Sequence, residues 1–141
     1  MIRLMTIADY EAVFELWHTT AGMGLRSLDD SKAGIGKFLE RNPRTCFVAE
    51  SALAIIGAIL CGNDGRRAYI YHTAVHTEYR NQGIGAALVA AVEQSLRDMD
   101  INKVALVAYT TNTAGNAFWE CLGYTLRYDL VYRNKTLVDQ L

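Results

Sequence analysis

One proline, Pro43, occurs in 141 residues, and cysteines appear only at Cys46, Cys61 and Cys121. No internal repeat, low-complexity tract or linker interrupts the chain. An odd, scattered set of cysteines in apolar surroundings offers neither a disulfide framework nor metal-ligand spacing. Reduced core thiols, a cytoplasmic setting and no bound metal are therefore expected. Cys121 as a nucleophile is the alternative, but no base stands beside it in sequence. Long apolar runs are also missing: none approaches the ~20 residues that cross a bilayer. The first residues lack the basic-then-apolar order of a secretory signal. Positive charge is not in excess either, since 14 Lys and Arg face 15 Asp and Glu for a net charge of −1. A nucleic-acid surface normally shows a basic patch or stripe, so neither nucleic acid nor membrane is an expected partner.

What remains is a chain with 51% hydrophobic and 21% charged residues, which suits one globular domain spanning residues 1–141. Ile2 to Met5 reads as a strand, and Thr6-x-x-Asp9 as a capping box with Asp in place of Glu. Ile7, Tyr10, Val13, Phe14 and Trp17 recur at helical spacing, predicting a first helix to about Thr20, stopped by Ala21-Gly22-Met23-Gly24. Asp29-Asp30-Ser31 offers N-caps for a second helix with Ile35, Phe38 and Leu39, weakened by Gly34 and Gly36 and ending before Pro43. Strands are expected at Thr45–Glu50, Leu53–Cys61 and Arg67–Val75, joined by turns at Ser51-Ala52 and Asn63-Asp64-Gly65. A helix follows over Ile84–Met99, then a strand at Val104–Ala108, a helix at Ala114–Leu122 stopped by Gly123, and strands at Tyr124–Arg127 and Leu130–Lys135. Hairpins followed by a strand–helix–strand crossover predict a mixed α/β sheet, mostly antiparallel, with helices on both faces.

The most informative stretch is Tyr79-Arg80-Asn81-Gln82-Gly83-Ile84-Gly85-Ala86-Ala87-Leu88, set between a strand and a helix. That arrangement aims unpaired backbone N–H groups and the positive end of a helix dipole at a phosphate. Glycine lacks the Cβ that would obstruct close approach. Arg80-x-x-Gly83-x-Gly85 resembles the pyrophosphate loop of the GNAT (Gcn5-related) N-acetyltransferases. A second block, Asn112 to Tyr124, resembles that family's later signature, N-x-x-A-x-x-(F/L)-Y-E-x-x-G-(F/Y). The two blocks stand in family order at family-like spacing, and the resemblance covers essentially the whole chain.

The resemblance implies the GNAT fold, in which two strands splay apart and the pantetheine arm of acetyl-CoA lies in the gap. It implies acetyl transfer to a primary amine on a small molecule, a peptide N-terminus or a lysine, and it leaves room for a homodimer. Backbone groups of Thr73, Ala74 and Val75 would meet the pantetheine and thioester. The loop from Arg80 through Asn81, Gln82, Gly83, Ile84 and Gly85 to Ala86 would hold the pyrophosphate, and Asn112 and Asn116 would lie on the cofactor side. The segment Met23–Asp30 would wall the acceptor site, with Arg26 for a carboxylate and Asp29 or Asp30 for an ammonium, although Asp30 reads equally as a helix cap.

The catalytic side chains depart from the family pattern. Trp119 stands where many relatives carry an acidic Tyr, and Val107 and Tyr69 occupy the usual base positions. Indole N–H donates a hydrogen bond but is not a useful acid at neutral pH. Tyr71 and Tyr109 are the candidates to orient water or donate to sulfur. Tyr69, Tyr71 and Thr73 share strand parity and are expected on one face, with His72 and Ala74 on the other. His72 is open to two readings, a base or a hydrogen-bonded structural residue. A non-catalytic acyl-CoA-binding or sensing module on the same fold is the alternative function. A P-loop or Rossmann nucleotide site fits poorly, without Gly-Lys-Ser/Thr or a third spaced glycine.

Overall fold

The computed structural model describes residues 1–20 and 22–139; Ala21, placed at the first helix stop, lies outside them. Five strands form one sheet in chain order: β1 (Ile2–Leu4), β2 (Phe47–Ser51), β3 (Ala54–Asn63), β4 (Ala68–Val75) and β5 (Val104–Ala105). The first three pairings are antiparallel and β4–β5 is parallel, so the sheet is mixed as expected. Helices α1 (Tyr10–His18) and α2 (Lys32–Arg41) border one core, and α3 (Ile84–Asp98) and α4 (Thr113–Cys121) border the other.

The two cores follow from strand alternation. Val48, Ala58 and Leu60 pack with Val13, Leu16, Trp17 and Ile35, while Ala49, Ile59 and Cys61 pack with Leu88, Val89, Val92 and Leu96. Residues two apart on a strand share a face, which sorts these side chains. At the chain start, the Asp9 carboxylate accepts the Thr6 N–H at 2.9 Å, the half of the capping box that the acid supplies. It also receives both terminal nitrogens of Arg3, at 2.9 and 2.8 Å.

Several expectations need correction. The turn between β2 and β3 is Ala52–Leu53, both with positive φ (49° and 67°), so Leu53 belongs to the turn and not to the strand. The strand expected over Val104–Ala108 pairs only at Val104 and Ala105. Tyr124–Arg127 and Leu130–Lys135 are not strands. β-propensity makes a strand only where a neighbour completes the ladder, and β5 offers two residues of it. Arg127 instead folds back on Asp129 at 2.7 Å, a local pairing. Cys46 and Cys61 are buried, but Cys121 is exposed and is no core thiol. Burial raises the Cys46 thiol to about 11 and the Cys61 thiol to about 12, so both stay protonated. Among the described residues, no helix is long and apolar enough to cross a membrane.

Candidate active site

β4 meets β5 only through Ala68 and Tyr69. From Ile70 to Val75, its outer edge has no strand partner among the described residues. Backbone N–H and C=O groups along such an edge need partners when covered, so this gap can receive an extended molecule with its own amides. Thr73 lies on the open stretch, and its buried hydroxyl has no hydrogen-bond partner among the described residues.

The open edge runs into the glycine loop. Arg80 folds back so that its Nε donates to the Val75 carbonyl at 3.1 Å, tying the loop to the end of β4. Asn81 and Gly83 both have positive φ, 61° and 79°, and a Cβ built on Gly83 would meet nothing within 4 Å. Gly83 is the N-cap of α3 and supplies no side-chain acceptor, and the helix has no acidic residue in its first turn. The first intrahelical donor is Ala87, bonded to the Gly83 carbonyl at 3.0 Å. The N–H groups of Ile84, Gly85 and Ala86 therefore point out of the helix start unpaired, where the dipole favours an anion. Asn81, Gln82 and Gly83 are exposed. The residues fit a pyrophosphate.

On the far side, Asn112 caps α4 by accepting the Gly115 N–H at 3.0 Å. Asn116 Nδ2 donates to the carbonyls of Tyr109 and Asn112, each at 2.9 Å. Both asparagines shape the Tyr109–Gly115 turn, each with one amide group committed to it. Gly85 packs against Phe118 so closely that a Cβ would come to 3.0 Å of its ring, which joins the loop to α4. Trp119 is half-buried between Phe118 and Tyr124, at centroid distances of 4.9 and 5.2 Å. Tyr124 donates to Glu93 at 2.7 Å, and burial raises its phenol far above the usual range.

The register of β4 against β3 decides which side chains meet the α1–α2 layer. Ile59 faces Thr73 while Cys61 faces Ile70, so Tyr71 and His72 together oppose one residue, a β-bulge. Ile70 belongs to the α3-side core and Ala74 to the α1-side core, so the bulge reverses the alternation. The expected division of faces is thereby corrected. Tyr71 contacts Phe38 of α2 at 5.5 Å, and His72 contacts Trp17 of α1 at 4.8 Å; both meet the α1–α2 layer. Thr73, by alternation with Ala74, turns to the α3 side.

His72 Nε2 lies 2.8 Å from Asp30 Oδ1, while Asp30 Oδ2 accepts the Arg26 N–H at 2.7 Å. Asp30 is buried, and the α2 cap is Ser31, whose Oγ accepts the Gly34 N–H at 3.0 Å. Asp30 thus neither caps the helix nor stands open to an ammonium; it clips the loop after α1 to the β4 bulge. Nothing in the sequence signals a pairing across 42 positions, because the bulge that aims His72 is a register feature. Gly34 is also explained: a Cβ there would overlap the Asp29 carbonyl oxygen, so α2 needs glycine where this loop crosses it. Tyr71 and Tyr109 are both exposed. The Tyr109 hydroxyl lies against Gly24, 3.3 Å from where its Cβ would be, so Tyr109 reaches the loop after α1. Burial, then Tyr132 and Asp29, raise the Tyr71 phenol, which keeps it a proton donor at neutral pH. Val107 is exposed and offers no base.

The acetyltransferase (GNAT) family model matches residues 10–124 of this sequence. The chain belongs to the GNAT family. An acetyltransferase of Sodalis glossinidius is 31% identical over 138 residues, covering 98% of this chain and 96% of its own length. Another, of Yersinia enterocolitica, is 30% identical over 140 residues, covering 99% and 97%. Among solved structures, Ard1 of Thermoplasma volcanium superposes with a TM-score of 0.81 at 23% identity, covering 90% of this chain and 83% of that one. The PaiA N-acetyltransferase of Thermoplasma acidophilum, solved with coenzyme A, gives 0.77 at 20% identity, covering 86% and 87%. At these identities the structures speak to the fold, which is the GNAT fold. In this GNAT protein the glycine loop, Val107 and Trp119 all lie within the matched residues.

Proposed function

We propose that the chain is an acetyl-CoA-dependent N-acetyltransferase, acting by direct transfer to a primary amine on a small molecule, a peptide N-terminus or a lysine. The observation that carries this reading is the open edge of β4 from Ile70 to Val75, leading straight into the uncapped start of α3. An edge for amides beside a seat for phosphates suits one elongated ligand with both. When bound, acetyl-CoA supplies an acetyl group activated as a thioester. The N–H groups of Ile84, Gly85 and Ala86 hold and neutralise the pyrophosphate. Backbone groups of Thr73, Ala74 and Val75 line the arm, and the Thr73 hydroxyl gains a partner there. Two buried unpaired thiols, Cys46 and Cys61, suit a reducing cytoplasm.

Direct transfer needs the acceptor nitrogen neutral and its proton removed as the C–N bond forms and the C–S bond breaks. Tyr71, a phenol at neutral pH, orients water for that proton and does not itself accept it; Tyr109 reaches the same loop from the other side. A steady-state assay of free CoA release across an amine panel tests the proposal. Activity should rise with pH along the acceptor's own titration, and Tyr71→Phe should cost about 10–100-fold, below the ~10²–10⁴-fold typical of a general base. CoA binding without release from any amine would favour a sensing module instead. A pH profile lost in His72→Asn and untouched by Tyr71→Phe would move the base to His72, whose Nε2 lies 2.8 Å from Asp30.

A further inference from the structure

Two tyrosines, Tyr69 and Tyr71, stand together where β4 faces the α1–α2 layer. The rings of Tyr69 and Tyr71 lie 4.7 Å apart at 59°, so they form two walls at an angle. Phe38 meets Tyr71 edge-on at 83°, bracing that ring from α2. Tyr132, from the last segment, is within electrostatic reach of both phenols. Yet Tyr71 keeps 54% and Tyr132 63% of its surface open, and Leu28 on the neighbouring loop keeps 55%. Burying these rings fully would be the ordinary use of such aromatic area; here Tyr71 and Tyr132 are left largely exposed and Tyr69 is half-buried.

The charge beside them is negative. Asp29 acts on Tyr71 electrostatically, and its carboxylate has no hydrogen bond or ion pair among the described residues. Its neighbour Asp30 differs, being buried and paired with His72. An open cavity of about 590 Å³ is lined by Ser27 and Leu28 of the same loop together with Val138 and Asp139. Accessible aromatic faces next to an unpaired carboxylate attract a cation, through the ring quadrupole and the charge together. Arg26, an exposed cation on the same loop, opposes this charge.

We propose that Tyr69, Tyr71 and Tyr132 with Asp29 form a subsite for a second, non-reacting cationic group of the acceptor. The inference rests on the N-acetyltransferase reading, and it narrows the acceptor to molecules carrying two positive charges, a diamine or larger polycation. The subsite anchors one ammonium while the other end reaches the transfer centre as the neutral amine. Specificity then comes from spacing between the nitrogens.

Two measurements on the full chain test it. Tetramethylammonium, which has no N–H to acetylate, is titrated while its methyl proton signal and the tyrosine ring signals are followed by NMR. In parallel, kcat/KM is compared for 1,4-diaminobutane and n-butylamine. The methyl signal should shift upfield, as it does over an aromatic face. The diamine should be preferred by about tenfold beyond its twofold statistical advantage, in line with one cation–π and carboxylate contact. Asp29→Asn and Tyr132→Leu should each weaken tetramethylammonium binding and bring the diamine-to-monoamine ratio toward two. Absence of a methyl shift, or binding without diamine preference, overturns the proposal. So does preference for an amine bearing a carboxylate, which would give the site to Arg26. Tetramethylammonium binding with no turnover of any amine would retain the cation site and refute the N-acetyltransferase reading, so the two failures are separable.

Discussion

Gly83 carries the proposed cofactor site through its backbone. Its φ of 79° lies in the left-handed region, and nothing occupies the space where a Cβ would stand. Another residue can fit sterically at a backbone cost of about 1–2 kcal/mol, so Gly83→Asp should fold while placing a carboxylate against the helix start. Isothermal titration should show CoA affinity reduced at least about tenfold. Wild-type affinity in the folded variant would remove the loop from the site. Trp119 is the other position where one side chain decides a role. Its ring packs between Phe118 and Tyr124, and its indole N–H has no hydrogen bond among the described residues. Trp119→Phe should lower the melting temperature by a few degrees and leave kcat within about threefold. A large loss of kcat at unchanged melting would identify an N–H contact with a bound molecule.

At the scale of elements, the site depends on how the loop after α1 crosses α2. The Asp29 carbonyl passes so near Gly34 that any Cβ there would overlap it. Asp30 meanwhile fixes the same loop to His72 on β4. Gly34→Ala gains helix propensity of about 1 kcal/mol but must push the loop outward, and overpacking typically costs ~1–3 kcal/mol. The expected outcome is a raised KM for the amine with CoA affinity retained, read by steady-state kinetics beside calorimetry. An unchanged KM would show that the loop does not wall the acceptor. Gly34 also illustrates a limit on reading helices from composition. Propensity marks it as a weak point, whereas packing makes glycine the residue that lets loop and helix meet.

Across the whole molecule, Arg3 on β1 joins the chain start to the sheet through Asp9 and Glu50. The guanidinium holds the Asp9 carboxyl below the usual carboxylate range. A lowered folded-state pKa contributes stability above the unfolded value near 3.8, and that contribution is lost as pH falls through the folded value. Urea unfolding should therefore show stability declining below about pH 4. Asp9→Asn should cost about 1–3 kcal/mol at pH 7 and should flatten this acid limb. An acid limb as steep as the wild type would place the responsible carboxylate elsewhere.

The glycine loop, the later signature, the helix positions and the hairpin order were legible because each is local. A helix period, a positive-φ glycine or a cap needs only its near neighbours in the chain. The strands expected at Tyr124–Arg127 and Leu130–Lys135 do not form for the opposite reason, since a strand exists only with a partner and β5 gives two residues to pair. The division of faces on β4 failed at one inserted residue. The Tyr71–His72 bulge turns both side chains toward α1 and α2, and with them the His72–Asp30 clip and the tyrosine cluster. Alternation along a strand is a local rule, but register against the neighbouring strand is a property of the assembled sheet. The proposed cofactor side, built on backbone groups, could be read from order along the chain; the proposed acceptor side rests on contacts between residues up to 42 positions apart.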